Sequence, residues 1–257
     1  MFKKPLGLLG IFMIVVGIGY FIGAFVAYDR VQGGYDSLQS FSEVQNVQLS
    51  YDEDGNLIDR GTVEGAEAIM SLLEDDWNFP VVDADMDPDD PLVNTASEYM
   101  FQMATISYHV LNGTQTVTLT EEDLTGEDGT VATEYTCNGE TVAVPDPFPA
   151  EGVTCEFEVG GRYWTGFDRM DPVQGQARDM AWSGTAHALV AELGVGAATH
   201  STLMLALGVA ALLAGLGVVC TVMGIAFIWH TRSSMKQSAG PAAEQPATEP
   251  ELSTTTA

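Results

Sequence analysis

From Leu6 to Ala27 the chain runs for 22 residues without a charge, and nothing else in it constrains the fold as tightly. At about 1.5 Å of rise per residue such a run crosses a hydrocarbon core roughly 30 Å thick. A second run, Leu203 to Trp229, holds 27 residues whose one ionisable group is Cys220. Both are read as membrane-spanning helices. Lys3 and Lys4 give the first run the basic start of a signal peptide. Its apolar stretch nevertheless exceeds the usual ~7 to 15 residues, and no A-x-A site precedes Tyr28, which favours an uncleaved anchor. Tyr28 and Trp229 close the runs, where amphipathic rings settle among lipid headgroups.

Charges flanking the runs set the expected orientation. Lys3 and Lys4 precede the first and Arg232 and Lys236 follow the second, so the positive-inside rule puts both termini in the cytoplasm of a plasma membrane. The expected layout is a cytoplasmic N-terminus at 1–5, transmembrane helices at 6–28 and 200–230, an extracytoplasmic domain at 29–199 and a disordered cytoplasmic tail at 231–257. That tail is Ser, Thr, Ala, Pro, Gln and Glu, with little to bury. The outer segment carries 33 acidic and 5 basic residues, a net −28 in a chain of net −27. So acidic a chain is no nucleic-acid binder, because phosphate recognition needs a basic surface. A polybasic lipid-surface protein is excluded on the same ground. Acidic surfaces also suit high-salt surroundings.

Within 29–199 the pattern mixes both periods, and the fold class expected is two transmembrane α-helices flanking one extracytoplasmic α+β domain. Val47–Ser50 and Leu57–Ile58 flank the turn cluster Asp52-Glu53-Asp54-Gly55-Asn56 and read as a hairpin. Val63, Ala66, Ile69, Met70, Leu73 and Trp77 recur at three and four, a helix that Pro80 ends. A longer helix is expected from Asp90-Pro91, with Asp as N-cap and Pro at the first helical position, through the stripe Leu92, Ala96, Tyr99, Met103, Ile106 and Val110 to the stop Asn112-Gly113. Thr116–Leu119 alternates as a strand. Val131–Cys137 and Val153–Val159 alternate likewise and are expected to pair as a long hairpin around the Pro145–Pro149 loop. Asp171-Pro172 opens a last helix that continues toward Trp229, with Gly194 and Gly196 as the natural break.

Few residue constellations point to chemistry. Cys137 and Cys155 lie 18 residues apart on the arms of the expected hairpin, in an oxidising compartment, and are expected to form a disulfide. Asp83, Asp85, Asp87 and Asp89 have a D-x-D-x-D start that suits a hard cation, giving a weak Ca²⁺ site as the one cofactor reading. The stretch departs from an EF-hand, with Pro88 where the loop needs Gly and Asn94 where it needs Glu. The other use of these residues is a solvated loop. His109 and His187 are the histidines placed for outer-domain chemistry; neither a G-x-S-x-G elbow nor H-E-x-x-H is present. Small residues pattern both runs, Gly19 with Gly23 and Ala211 with Gly215, which lets helices approach closely within one chain or in a homo-oligomer.

Four stretches, Arg60–Glu67, Leu92–Tyr99, Gly161–Trp164 leading to Phe167-Asp168-Arg169, and Glu192–Gly196, resemble a group of actinobacterial membrane proteins with two spans around an outer domain. The likeness covers most of residues 45–230. It implies a membrane location and carries over no catalytic residues. Smaller proteins with a similar Gly, Tyr, Asp-Arg, Asp-Pro run are labelled aromatic ring-opening dioxygenases, a chemistry that uses two His and a carboxylate around Fe(II). The function expected from the sequence is a non-enzymatic, membrane-anchored scaffold or interaction protein whose partners are the lipid bilayer and a membrane or cell-envelope protein. A divalent-cation-binding envelope sensor is the first alternative, and a membrane-bound hydrolase or dioxygenase the second.

Overall fold

The computed structural model describes residues 3–238, so the expected tail lies outside the described residues from position 239 onward. Within the described residues the last helix runs on to Ser238. The elements run α1 (Lys3–Gln45), β1 (Ser50–Tyr51), β2 (Leu57–Ile58), α2 (Val63–Ser71), α3 (Ala96–Leu111), β3 (Thr114–Leu119), β4 (Glu134–Cys137), β5 (Glu140–Ala143), β6 (Val153–Glu158), α4 (Pro172–Ala181) and α5 (Gly184–Ser238). Helices α1 and α5 are both long and apolar enough to cross a membrane. Each extends past its uncharged run, α1 by 18 residues to Gln45 and α5 by 19 residues back to Gly184. The chain forms two compact units, one from its N-terminus to Val31 together with residues from Ala206 onward, the other Gln32–Leu205.

In the first unit the two helices run antiparallel, and the small residues expected to join them are not the ones that do. No atom comes within 4 Å of where a side chain would start on Gly19 or Gly215, Gly23 meets only the end of Leu213, and Ala211 is exposed. The seam is a seven-residue repeat. Gly10, Gly17, Ala24 and Val31 are buried on α1, and Ala210, Gly217, Gly224 and Thr231 on α5. A methyl group on Gly10 would lie 2.7 Å from the carbonyl oxygen of Gly224, and one on Gly224 would lie 2.6 Å from that of Gly10. At Gly17 it would collide with the hydroxyl of Thr221. The backbones therefore touch, as small residues permit in lipid, and a strict seven-residue period keeps the seam in register by a left-handed supercoil. Within one chain the G-x-x-x-G spacing marks no close approach, because such spacing brings helices together only on the face a partner covers.

The second unit is built around α3. Its N-cap is Thr95, not Asp90: Thr95 accepts from the backbone N–H of Glu98, and the Glu98 side chain returns to the backbone N–H of Thr95. This reciprocal box stabilises a helix start more than a bare Asp-Pro does, because two orphan donors are satisfied together. Pro91–Val93 instead stays extended and bonds to the strand-like segment after α1, with Leu49 N–H donating to Pro91 O and Val93 N–H to Val47 O. No residue of α3 is exposed. The expected one-sided stripe is therefore wrong in kind: this is a central helix with neighbours all round, and its most buried positions include Ser97, Phe101, Ala104 and Ser107.

The β1–β2 hairpin forms around the expected turn, with Asp52 accepting from the backbone of Asp54 and Asn56, but its first strand is Ser50–Tyr51 and not Val47–Ser50; α2 starts at Val63 and gives way at Leu72 to a π-helical turn that ends at Asp76. The longer ladder does not form as expected. Val153–Glu158 pairs antiparallel with β3, Val117 opposite Cys155, while Glu134–Cys137 pairs with β5. The deciding signal is Asn138-Gly139, both at positive φ (50° and 83°), which makes a two-residue turn that closes β4 onto the next four residues before the Pro-rich loop is reached. Val117, Leu119, Val153, Cys155 and Phe157 point inward from β3 and β6, and α4 covers them with Val173, Ala177 and Ala181. Asp171 caps α4 by accepting from Gln174 N–H, with Pro172 at the first helical position.

The break between α4 and α5 falls at Trp182-Ser183, where Ser183 accepts from Ala186 N–H, and not at Gly194 or Gly196. Those glycines sit inside α5 because their bareness admits α3: a side chain at Gly196 would begin 2.7 Å from the Tyr99 ring, and one at Gly194 would touch Met103. A helical glycine costs roughly 1 kcal/mol in propensity, which packing of a buried aromatic ring offsets.

Candidate interaction surface

The segment after β6 folds back in tight turns, Gly160 and Gly161 both at positive φ, and delivers Arg162, Tyr163 and Trp164 onto the ends of α2 and α4. There they meet Trp77 and Trp182. The indole N–H of Trp77 donates to the Tyr163 hydroxyl at 2.9 Å, the Tyr163 and Trp182 rings stack with centroids 5.8 Å apart, and the Trp182 indole donates to Arg162 O at 3.1 Å. His187 closes the group, edge-on to Trp164 at 4.8 Å. Its Nδ1 lies 3.0 Å from Trp182 O, so that nitrogen carries the proton and donates.

Two arginines rest on the Trp164 ring, and a third turns inward onto Phe157. Arg178 lies 4.2 Å from the Trp164 centroid and is clamped from the side by Asp179 at 2.7 Å; Arg169 lies 5.8 Å from the same ring. Arg162 stacks 5.0 Å from Phe157, and its Nη1 is buried without a hydrogen-bond partner among the described residues. Cation–π contacts of this kind contribute ~0.5–2 kcal/mol each and hold a normally mobile side chain in place. Of the five arginines between residues 29 and 199, three are here, and so are three of the chain's four tryptophans. Met170, 90% exposed, and Met180, 47% exposed, adjoin Arg169 and Asp179 in the chain, and Tyr163 is 44% exposed. Beside Tyr163 opens a hollow of about 320 Å³ lined by Ser71, Asp76, Tyr108, Asn112 and Gly161. One wall is a π-helical turn, Leu72–Asp76, where Trp77 N–H reaches back to Leu72 O.

The acidic loop looks different. Asp83–Asp85 forms a single 3₁₀ turn; Asp85 accepts from the Ser97 hydroxyl at 2.7 Å, and Asp87 accepts from Asp89 N–H. Among the described residues no three His, Cys, Asp or Glu side chains converge as a metal ligand set, and Asp83, Asp85, Asp87 and Asp89 are not gathered. His109 is paired with Asp59 at 2.9 Å, on a different part of the unit from His187. Cys137 and Cys155 form a disulfide with Cα atoms 5.8 Å apart, which fixes the β4–β5 hairpin to β6. Asn138 reinforces that junction, donating to Glu156 O and accepting from Glu158 N–H.

One buried acid stands out. Glu98 is 1% exposed, and its Oε2 accepts from Asn94 N–H, Thr95 N–H and the Thr95 hydroxyl at 2.8–3.0 Å. Burial pushes its carboxyl up from the ordinary value, against the pull of those hydrogen bonds. The neighbouring Tyr51 hydroxyl is pushed up to about 12 by burial and by the charges of Glu98 and Asp87. Sequence reasoning passed over Glu98, although Thr95-x-x-Glu98 is itself the capping-box signature. It passed over the arginine–aromatic face as well, since residues from 77 to 187 meet there only in the fold. No protein-family model, curated protein or solved structure matches this chain.

Proposed function

We propose that this chain is a membrane-anchored, non-catalytic interaction protein of the plasma membrane, with both termini cytoplasmic and residues 29–199 facing outward. The arginine–aromatic face is where a membrane or envelope protein docks. The observation that carries the reading is the gathering of Arg169, Arg178, Trp77, Tyr163 and Trp164 over the buried Trp182 in a segment of net −28. Tyr, Trp, Arg and Met are the residue types enriched where partners bind, and rings already held by stacking lose little conformational entropy on docking. The likeness to actinobacterial two-span proteins rests partly on Gly161–Trp164 and Phe167–Arg169, which build this face.

A photo-crosslinking amino acid at Tyr163, introduced into the full chain in intact cells, tests the proposal. One discrete product, lost on Arg178→Ala with Trp164→Ala while the protein stays in the membrane fraction, is the expected result. A product of twice the chain's mass would make the partner a second copy. No product, or a smear that these substitutions leave unchanged, would overturn the assignment of this face.

A further inference from the structure

The hollow beside Tyr163 lies within the second unit, and two helices end on it. The end of α2, prolonged by the π-helical turn, supplies Ser71, Leu72 and Asp76; the last turn of α3 supplies Tyr108 and Leu111, followed by the C-cap Asn112. A helix C-terminus carries about half a negative charge, which a Lys or Arg in the last turn would offset. Neither last turn holds one, and the basic residue that α3 does have there, His109, is paired with Asp59 and does not line the hollow. Asp76, the one charged residue of the wall, adds a full negative charge, and among the described residues it makes no ion pair. Two neutral groups of the wall also have acceptors to spare. The Asn112 amide N–H donates to Tyr108 O, which leaves its own carbonyl oxygen over, and the Tyr163 hydroxyl accepts from Trp77 and keeps a second lone pair.

We propose that this hollow receives a lysine side chain of the docked partner, its ammonium group held at Asp76. The inference rests on the reading that a partner docks on the arginine–aromatic face, whose Tyr163 is also a wall of the hollow. An alkylammonium brings one positive charge and three N–H donors, which match Asp76 and the spare acceptors of Asn112 and Tyr163. Its aliphatic stem lies along Leu72 and Leu111, and the tyrosine rings add their own attraction for a cation. At about 320 Å³ the hollow stands at the small end of ligand sites, which suits one side chain rather than a larger molecule. The lysine comes from a different protein. This chain's own lysines are Lys3, Lys4 and Lys236, so a second copy brings none from residues 29–199. The net −28 of that segment favours a partner whose docking surface is basic.

The test uses the full chain in intact cells, with a fluorosulfate-bearing tyrosine, which captures a nearby lysine, histidine or tyrosine, in place of Tyr108. The expected product, read by peptide mass spectrometry, joins position 108 to a lysine of the same protein that the photo-crosslinker at Tyr163 traps. Asp76→Asn should lower its yield roughly fivefold, the loss of one charge partner. Asp75→Asn, whose carboxylate accepts from Ser71 and does not line the hollow, should leave the yield unchanged. A second measurement leaves the hollow unaltered: a water-soluble carbodiimide applied to the wild-type chain should join the Asp76 carboxylate to the same lysine. Attachment through histidine or tyrosine, or a yield indifferent to Asp76→Asn, would overturn the inference and leave the docking face standing. A product at Tyr163 with none at Tyr108 or Asp76 would do the same, as would a Tyr163 product made of two copies of this chain. No product at Tyr163 would overturn both.

Discussion

Glu98→Ala should be the most damaging single truncation outside the apolar core. The carboxylate sits at the head of the central helix, 1% exposed, with three donors on one oxygen. Removing it deletes the capping box, at about 1 kcal/mol. It also leaves the buried N–H of Asn94 and its neighbour at Thr95 without acceptors, at ~1–3 kcal/mol. Relief from burying a charge returns part of this, so a net loss of about 2–4 kcal/mol is expected, or roughly 5–15 °C in Tm for a unit of this size. Glu98→Gln keeps an acceptor in the same box and should cost about 1 kcal/mol or less. The pH dependence separates the two effects. Because burial raises the folded-state value above the ordinary 4.5, the native state binds the proton more tightly than the unfolded chain. Glu98 therefore adds most to stability at low pH, and this contribution is lost as pH rises from 4.5 through the raised value. Wild type should gain on Glu98→Gln as pH is lowered from 7 toward 5. The assay is thermal melting of the full chain in nanodiscs, followed by fluorescence of the tryptophans in the second unit. A Glu98→Ala variant within 2 °C of wild type, or a Gln variant worse than the Ala one, would refute the reasoning.

Three further outcomes follow from the same geometry. Reducing the Cys137–Cys155 disulfide reopens a loop of 18 residues, which should cost about 3 kcal/mol and lower Tm by roughly 6–12 °C, measured by melting with and without a phosphine reductant. Gly17→Leu or Gly224→Leu should destabilise the helix pair by ~1–3 kcal/mol, while Gly19→Leu and Gly215→Leu, which meet nothing, should be close to neutral; detergent titration of helicity by circular dichroism reads the difference. If the acidity acts only through screening of a −28 segment, NaCl and CaCl₂ at matched ionic strength raise Tm equally; a saturable extra response to Ca²⁺ would make Asp83, Asp85, Asp87 and Asp89 a site.

What was legible in the sequence depended on how local the cause was. The two long apolar helices, the Asp171-Pro172 cap and the β1–β2 turn follow from runs of neighbours and needed no tertiary partner. The pairing of β6 did not, since β3 and β4 alternate alike and only the positive-φ pair Asn138-Gly139 tells which strand is closed off first. Glycines showed the limit most clearly. Gly194 and Gly196 read as a break and Gly19 with Gly23 as a seam, yet a glycine's effect is decided by what approaches it: a tyrosine ring at Gly196, a backbone at Gly10, and nothing at Gly19. The seven-residue recurrence of Gly10, Gly17 and Ala24 with Ala210, Gly217 and Gly224 is visible in the sequence once a period longer than four is considered. The arginine–aromatic face is beyond any local pattern, because its parts come from α2, α4, the start of α5 and the turn after β6.

The claim on which everything else stands is that residues 29–199 face outward between two spans. Single cysteines at Thr130 and Ser233, each in a Cys220→Ala background, give the most direct measurement when intact cells are treated with a membrane-impermeant maleimide. Thr130→Cys is expected to label without permeabilisation and Ser233→Cys only after it. The reverse pattern, equal labelling of both in intact cells, or recovery of the protein from the soluble fraction would contradict the account.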